Sequence, residues 1–402
     1  MPPAPPTKPA TQATIGRGLL WLMATAASAS TATIFYNQPL LPDINASFGL
    51  AEGRIGFIPA ASQLGYSAAI LLISPLGDVM DRRALIRNLS GLLTLALIVA
   101  CLAPNFITLV FACFVMGLGS NITQQLIPFA ASLSTQESRG KVVATLMTGV
   151  TIGILLSRTI SGSMAEYFGW RSVFLSAAII AAVMGILLKV YLPASTPTAQ
   201  MRYPQLIGSM FSLFKQHRSL RDSAITGALW FAAFNAMWAT LAIHVMDAPM
   251  SYTVQQAGLF GLVGLAGIFG AKLSGRFVHT LGSRKLITSG LVLILFAFAV
   301  LVLWGNTLTG LIVGIVFVDL GVFGAQIANQ VRVLSIDPAA QSRMNAVYML
   351  CYFLGAALGS ALGVKVMSLA GWQGMALFGS ALIAAALVQH LLSRKHMPVS
   401  NM

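Results

Sequence analysis

This sequence predicts an all-α integral membrane protein of about twelve transmembrane helices, arranged as two pseudo-symmetric six-helix bundles. Three observations carry that expectation. The 402 residues are 57% hydrophobic and 8% charged, with a mean hydropathy of +0.82, whereas a water-soluble domain carries about a quarter charged residues. The charges collect in alternate gaps between apolar stretches, and short landmarks of the first half return in the second at a nearly constant offset.

Crossing a bilayer takes roughly 20 apolar residues, and a backbone in lipid has to satisfy its own hydrogen bonds, so each apolar stretch is expected to be a helix. In order the spans cover 17–41, 54–75, 84–103, 106–131, 140–164, 171–192, 222–246, 255–276, 284–304, 307–332, 342–367 and 372–393. The small residues from Ala24 to Ala32 could suit a signal peptidase, but the surrounding apolar segment is long and eleven more follow. The first span is therefore expected to be retained. The chain divides into a Pro-rich, disordered N-terminus (1–16), a first bundle (17–192), a linker (193–221), a second bundle (222–393) and a tail (394–402). Pro193, Pro197 and Pro204, followed by Lys215, His217 and Arg218, mark the linker as polar and irregular.

A net charge of +14 could suggest a nucleic-acid partner, but its placement points elsewhere. With alternating helices Arg82, Arg83, Arg87, Arg139, Lys141, Lys215, Arg218, Arg284, Lys285, Arg343 and Arg394 share one side, while the other receives little beyond Arg54 and Arg171. The positive-inside rule makes the basic side cytoplasmic, together with both termini and the linker, in a cell inner membrane. No basic patch remains for nucleic acid. The expected partners are the lipid bilayer, a small-molecule substrate and a proton, with a monomer as the expected state. Cys101, Cys113 and Cys351 lie inside apolar stretches and are expected to be packing residues. Neither a cofactor nor a metal is expected.

The duplication is legible in pairs. Gly149 and Gly153 answer to Gly355 and Gly359, Gly169-Trp170 to Gly371-Trp372, Gln124 to Gln326, and Arg139 to Arg343. Agreement of several pairs within a few residues of one offset argues for two parallel repeats.

The loop between the second and third spans reads Gly77-Asp78-Val79-Met80-Asp81-Arg82-Arg83-Ala84, followed by Arg87. Its counterpart runs from Gly275 through His279 and Gly282 to Arg284 and Lys285. With these loops and the corner Phe168-Gly169-Trp170-Arg171, the chain resembles the major facilitator superfamily of secondary transporters over nearly its whole length. The run Tyr36-Asn37-Gln38-Pro39-Leu40-Leu41-Pro42 is similar to the end of the first helix in bacterial drug/proton antiporter-like members. The resemblance implies a gating latch at Gly77, Asp78, Asp81, Arg82 and Arg83, with Gly275, His279, Gly282 and Arg284 as its second-half counterpart. Departures are as informative. Ala84 replaces a second Gly, His279 stands where Asp is expected, Cys113 replaces an Arg in the fourth span, and no Pro follows Gly153.

Polar side chains facing lipid are costly, so those inside spans are candidates for the substrate path: Asn37, Gln38, Gln63, Asn121, Gln124, Gln125, Asn235, Trp238, Gln326 and Asn329. Arg158 in the fifth span costs roughly 2.5–3.5 kcal/mol to insert, so it is expected to face the cavity and meet an anionic solute or an acid of the second bundle. Asp319 is the sole acid well inside an apolar helix, and it can load and release a proton as access alternates. Arg158 and Asp319 are thus the candidates for proton coupling. Small residues, including Gly258, Gly261, Gly264, Gly267 and Gly270, are expected to allow close helix contact along a moving seam of spans five, eight and eleven.

The expected function is secondary active transport of a small organic solute by alternating access, with proton-coupled efflux preferred over import by a proton symporter or uniporter. An enzyme is the remote alternative: Asp78-x-x-Asp81 lacks a third carboxylate, and neither HExxH nor GxSxG is present. A receptor would lack an extramembrane domain, and without a GxxxxGK[ST] loop the chain carries no ATP site of that type.

Overall fold

Among the described residues of the computed structural model, ten helices are long and apolar enough to cross a membrane, and one of them is two helices joined at a reversal. The structure describes residues 15–51, 53–195, 202–337 and 340–393. The expected disorder of residues 1–16 falls mainly, and the tail entirely, outside them. The first half contains α1 (Arg17–Ala32), α2 (Leu41–Phe48), α3 (Phe57–Leu72), α4 (Leu76–Val79), α5 (Arg82–Cys101), α6 (Phe106–Gly119), α7 (Ile122–Ser132), α8 (Arg139–Phe168) and α9 (Trp170–Tyr191). A linker helix α10 (Tyr203–Gln216) leads to α11 (Arg218–Met246), α12 (Val254–Val263), α13 (Ala266–Leu281), α14 (Ser283–Trp304), α15 (Leu308–Leu334) and α16 (Gln341–Leu392).

Local chemistry sets the helix ends. Asn105, Thr253 and Thr307 cap α6, α12 and α15 by accepting a backbone N–H from Thr108, Gln256 and Gly310. Gly169 and Gly371, at φ +76° and +63°, occupy the left-handed region that lets the chain reverse between paired helices. The reversal at Gly371 follows from contacts on either side. Asn345 bonds Gln330, Trp372 donates to the Leu301 carbonyl, and Arg284 reaches the His390 carbonyl, so 372–390 runs back along α14.

Three spans expected as continuous are broken. The first stops at Ala32, turns through Thr33–Asn37 and a 3-10 turn (Gln38–Leu40), then resumes as α2, because Pro39 and Pro42 cannot donate to the helical ladder. The fourth divides between α6 and α7 at Gly119-Ser120, a small pair that tolerates a kink. The eighth divides at Gly264-Leu265, within the glycine row.

The duplication is repeated in hydrogen bonds. Arg83 donates to the Lys189 carbonyl and Arg284 to the His390 carbonyl, each clamping the start of one helix to the end of another in its own half.

The glycine seam needs correction. A Cβ on Gly149 or Gly153 would meet Ala24 or Ser28, and one on Gly355, Gly359 or Gly363 would meet Ala228, Ala232 or Ala236. Those glycines pack helices within one bundle. Across the bundles the backbones close at Gly162 and Gly258, where each Cβ would come within 3.0 Å of the other's Cα. A three-residue step on a helix of 3.6 residues per turn rotates the position by roughly 60°, so the glycine row winds. Gly258 and Gly261 accordingly face α8, Gly264 faces Trp238 and Asp319, and Gly267 and Gly270 face α15.

Candidate functional site

Arg158 of α8 and Asp319 of α15 come from opposite bundles and are both buried, at 2% and 0% exposure. Arg158 donates from Nε to Gln38 Oε1 at 2.7 Å and from Nη1 to the Ile154 carbonyl at 3.3 Å. Gln38 is available because it lies in the broken stretch of the first span. The guanidinium stands 3.9 Å from the Trp238 ring centroid, with Phe35 and Phe234 at 5.3 and 5.9 Å. Such contacts partly replace the hydration that burial removes.

Asp319 Oδ1 and Trp238 Cζ2 each lie 3.2 Å from where a Cβ on Gly264 would be. The indole N–H of Trp238 closes no hydrogen bond, and no ion pair joins Arg158 to Asp319. Arg158 Nη2 and both Asp319 oxygens are buried and unpartnered. The breaks in the first and eighth spans thus border the two charges, the arrangement in which discontinuous helices form transporter sites. Gly264 was not singled out as a site residue by sequence; the signal was its place at the centre of the three-residue glycine row.

The polar candidates divide into groups. Gln63 Nε2 donates to Asn235 Oδ1 at 2.7 Å and Gln63 Oε1 accepts from Ser360 at 3.0 Å, so this trio bridges the bundles. Gln124 donates to Tyr66, and the Tyr348 hydroxyl donates to Gln326. Asn37 donates to Ser62, Asn121 to Ser74, Gln125 to Asn121, and Asn329 to the Ser223 carbonyl. These last four bonds stay within one bundle and do not join the residues to Arg158.

The loop motif lies at the basic end. Arg82 pairs with Asp78 at 2.5 Å. Asp81 caps α5 through Arg83 N–H and accepts from both the backbone N–H and the hydroxyl of Ser195. Burial opposes ionisation of Asp81, but the bonds from Ser195, Arg83 and Ala84 outweigh it and hold its carboxyl below the usual range. Gly77 lies against the Gln125 side chain, while Gly275 and Gly282 have open surroundings. His279 lies in the last turn of α13.

Ties between the bundles run from the opposite end into the middle of the fold, where Ser67 donates to the Leu350 carbonyl at 3.1 Å. Glu166 accepts Gln255 N–H at 3.2 Å, Thr159 donates to the Gly258 carbonyl at 2.9 Å, and Gly56 abuts Ser360 and Val364. A groove of about 450 Å³ between α1 and α8 is lined by Trp21, Ala24, Thr25, Ser28, Thr145 and Thr148, among others. It does not include the two charges.

Two pseudo-symmetric helical bundles, apolar surfaces suited to lipid and a buried polar site between the halves define a membrane transporter. The Major Facilitator Superfamily model matches residues 20–337, and the chain belongs to that family. It is 37% identical over 362 residues to the uncharacterized transporter YgaY of Escherichia coli O157:H7, covering 90% of this chain and 92% of the relative. It is 25% identical to a probable sugar efflux transporter of Pasteurella multocida, covering 90% and 88%. Its fold is similar to a bacterial homologue of the human lysosomal transporter Spinster in an inward-facing, occupied conformation. That match has a TM-score of 0.76 at 14% identity and covers 94% and 97% of the two chains. The protein is therefore a multi-pass membrane transporter of this superfamily, not an enzyme.

Proposed function

We propose that the chain exports a small organic solute by alternating access in exchange for protons, with Arg158 and Asp319 as the coupling pair. The single observation carrying this reading is that opposite bundles bring these charges to one buried site without an ion pair. Relative motion of the bundles changes the distance between them. With Arg158 near, the ionised form of Asp319 is favoured; with it remote, a buried carboxylate favours its proton. Each alternation can therefore load and release one proton.

The basic end is the cytoplasmic face in this reading, by the positive-inside rule. The contacts at Glu166, Gly162 and Gly56 then close the outer end, as in an inward-facing state. Asp78, Asp81, Arg82 and Arg83 gate the inner end, with the second-half loop from Gly275 to Arg284 in the corresponding place. The name of the Pasteurella relative supports export over import.

Inverted membrane vesicles with a pH-sensitive dye test the proposal through a screen of solutes. Solute-triggered proton movement in the exchange direction is expected. Co-directional movement would instead establish symport, and solute flux without proton movement would establish uniport.

A further inference from the structure

The two charges are complementary to a molecule that carries both. We infer that the site binds a zwitterionic, amino-acid-like solute with an apolar side chain, its carboxylate on Arg158 and its ammonium on Asp319. This rests on the transporter site proposed above and adds the substrate class.

Isolated charge is costly away from water. A buried guanidinium and a buried carboxylate each lose hydration, and that loss is recovered only through partners with suitable geometry. Arg158 has partners for Nε and Nη1 but leaves Nη2 unpartnered, while both Asp319 oxygens are unpartnered. A purely anionic solute would satisfy Arg158 and repel ionised Asp319. A purely cationic one would do the reverse. A zwitterion satisfies both, leaves the site's net charge unchanged and uses the planar fork of Arg for its carboxylate.

The surroundings set the body of the solute. Trp238 lies against both charges, and Phe35 and Phe234 lie near the guanidinium. Gly264, having no side chain, lets Asp319 and Trp238 pack close against its backbone. The walls are therefore aromatic, and the charged groups approach from opposite bundles, so one short molecule touching both would hold the bundles together. A proton on Asp319 would compete with the ammonium, which connects this binding mode to exchange.

The test is calorimetric titration of the purified full chain with L-phenylalanine, L-tryptophan, L-leucine and L-methionine, each beside its methyl ester and N-acetyl derivative. At least one free amino acid should bind saturably, and both of its singly charged derivatives at least tenfold more weakly. Arg158→Gln should remove discrimination against the ester, and Asp319→Asn that against the N-acetyl form. Gly264→Ala, whose methyl would meet Asp319 and Trp238, should weaken the zwitterion in a chain that keeps both charges. Absence of binding by all four amino acids, a derivative binding within tenfold of its parent, or unchanged discrimination in both charge variants would overturn the inference. Equilibrium binding needs no coupling. Its failure leaves the vesicle result standing, and failure of the vesicle test leaves binding unaffected.

Discussion

Arg158 and Asp319 are delivered to one buried site by opposite bundles, and Trp238 lies against both while no ion pair joins them. A direct pair would tie the halves together and consume the charge on each. Held apart, each keeps an unpartnered polar atom for a solute or a proton.

Asp319→Asn keeps the shape of the side chain and removes its titration. Reconstituted vesicles should retain solute exchange down a gradient but lose accumulation driven by a pH difference. Accumulation with an unchanged pH profile would remove Asp319 from coupling.

Arg158→Lys keeps the charge but loses the planar fork, so transport should fall where two-point recognition matters. About tenfold is expected, the equivalent of roughly 1.4 kcal/mol in transition-state or binding free energy. Full activity in Arg158→Ala would remove Arg158 from recognition and coupling.

Asp81→Asn should leave the chain inserted but strongly slow transport, because this residue connects α5 to the start of the linker at Ser195. Asn caps a helix about as well as Asp, so any stability lost at neutral pH should come from the missing carboxylate charge that accepts from Ser195 and Arg83, not from the cap itself. Asp81 has a lowered folded-state pKa, so its stabilisation is complete above the unfolded value of about 3.9 and disappears as pH falls through the folded value. Thermal unfolding of both chains across pH should therefore converge only below about pH 4. Unchanged transport by the variant would reduce the loop to a topology signal.

Gly258→Val inserts atoms where a Cβ would already lie 2.7 Å from the Arg158 carbonyl oxygen. Transport should be lost, with the contact between α8 and α12 forced apart. Gly140→Val, where nothing lies within 4 Å, should be well tolerated as the matched control. Equal transport by the two variants would argue against a close-packed seam.

In the orientation proposed from the positive-inside rule, single cysteines at positions 2, 215 and 400 should react with permeant reagents only. Labelling of any of them in intact cells by an impermeant reagent would overturn the topology.

The helical membrane class, the approximate number of spans and the duplicated halves were legible in the sequence alone. Those features depend on hydropathy, span length and repeated local landmarks, all of which act along the chain. Arg158 and Asp319 also stood out, because an ionisable group inside an apolar helix is expensive wherever the helix packs. Tertiary structure decided which polar residues meet. Gln38 reaches Arg158 only because the first span breaks before Pro39, and Gln63 bridges to Asn235 and Ser360 from helices far apart in the chain. Sequence spacing could not assign the glycines either. Gly149 and Gly355 pack inside bundles, Gly258 joins the bundles, and Gly264 lets Asp319 and Trp238 pack against its backbone. A missing side chain becomes informative only when the neighbouring backbone that would occupy its place is known.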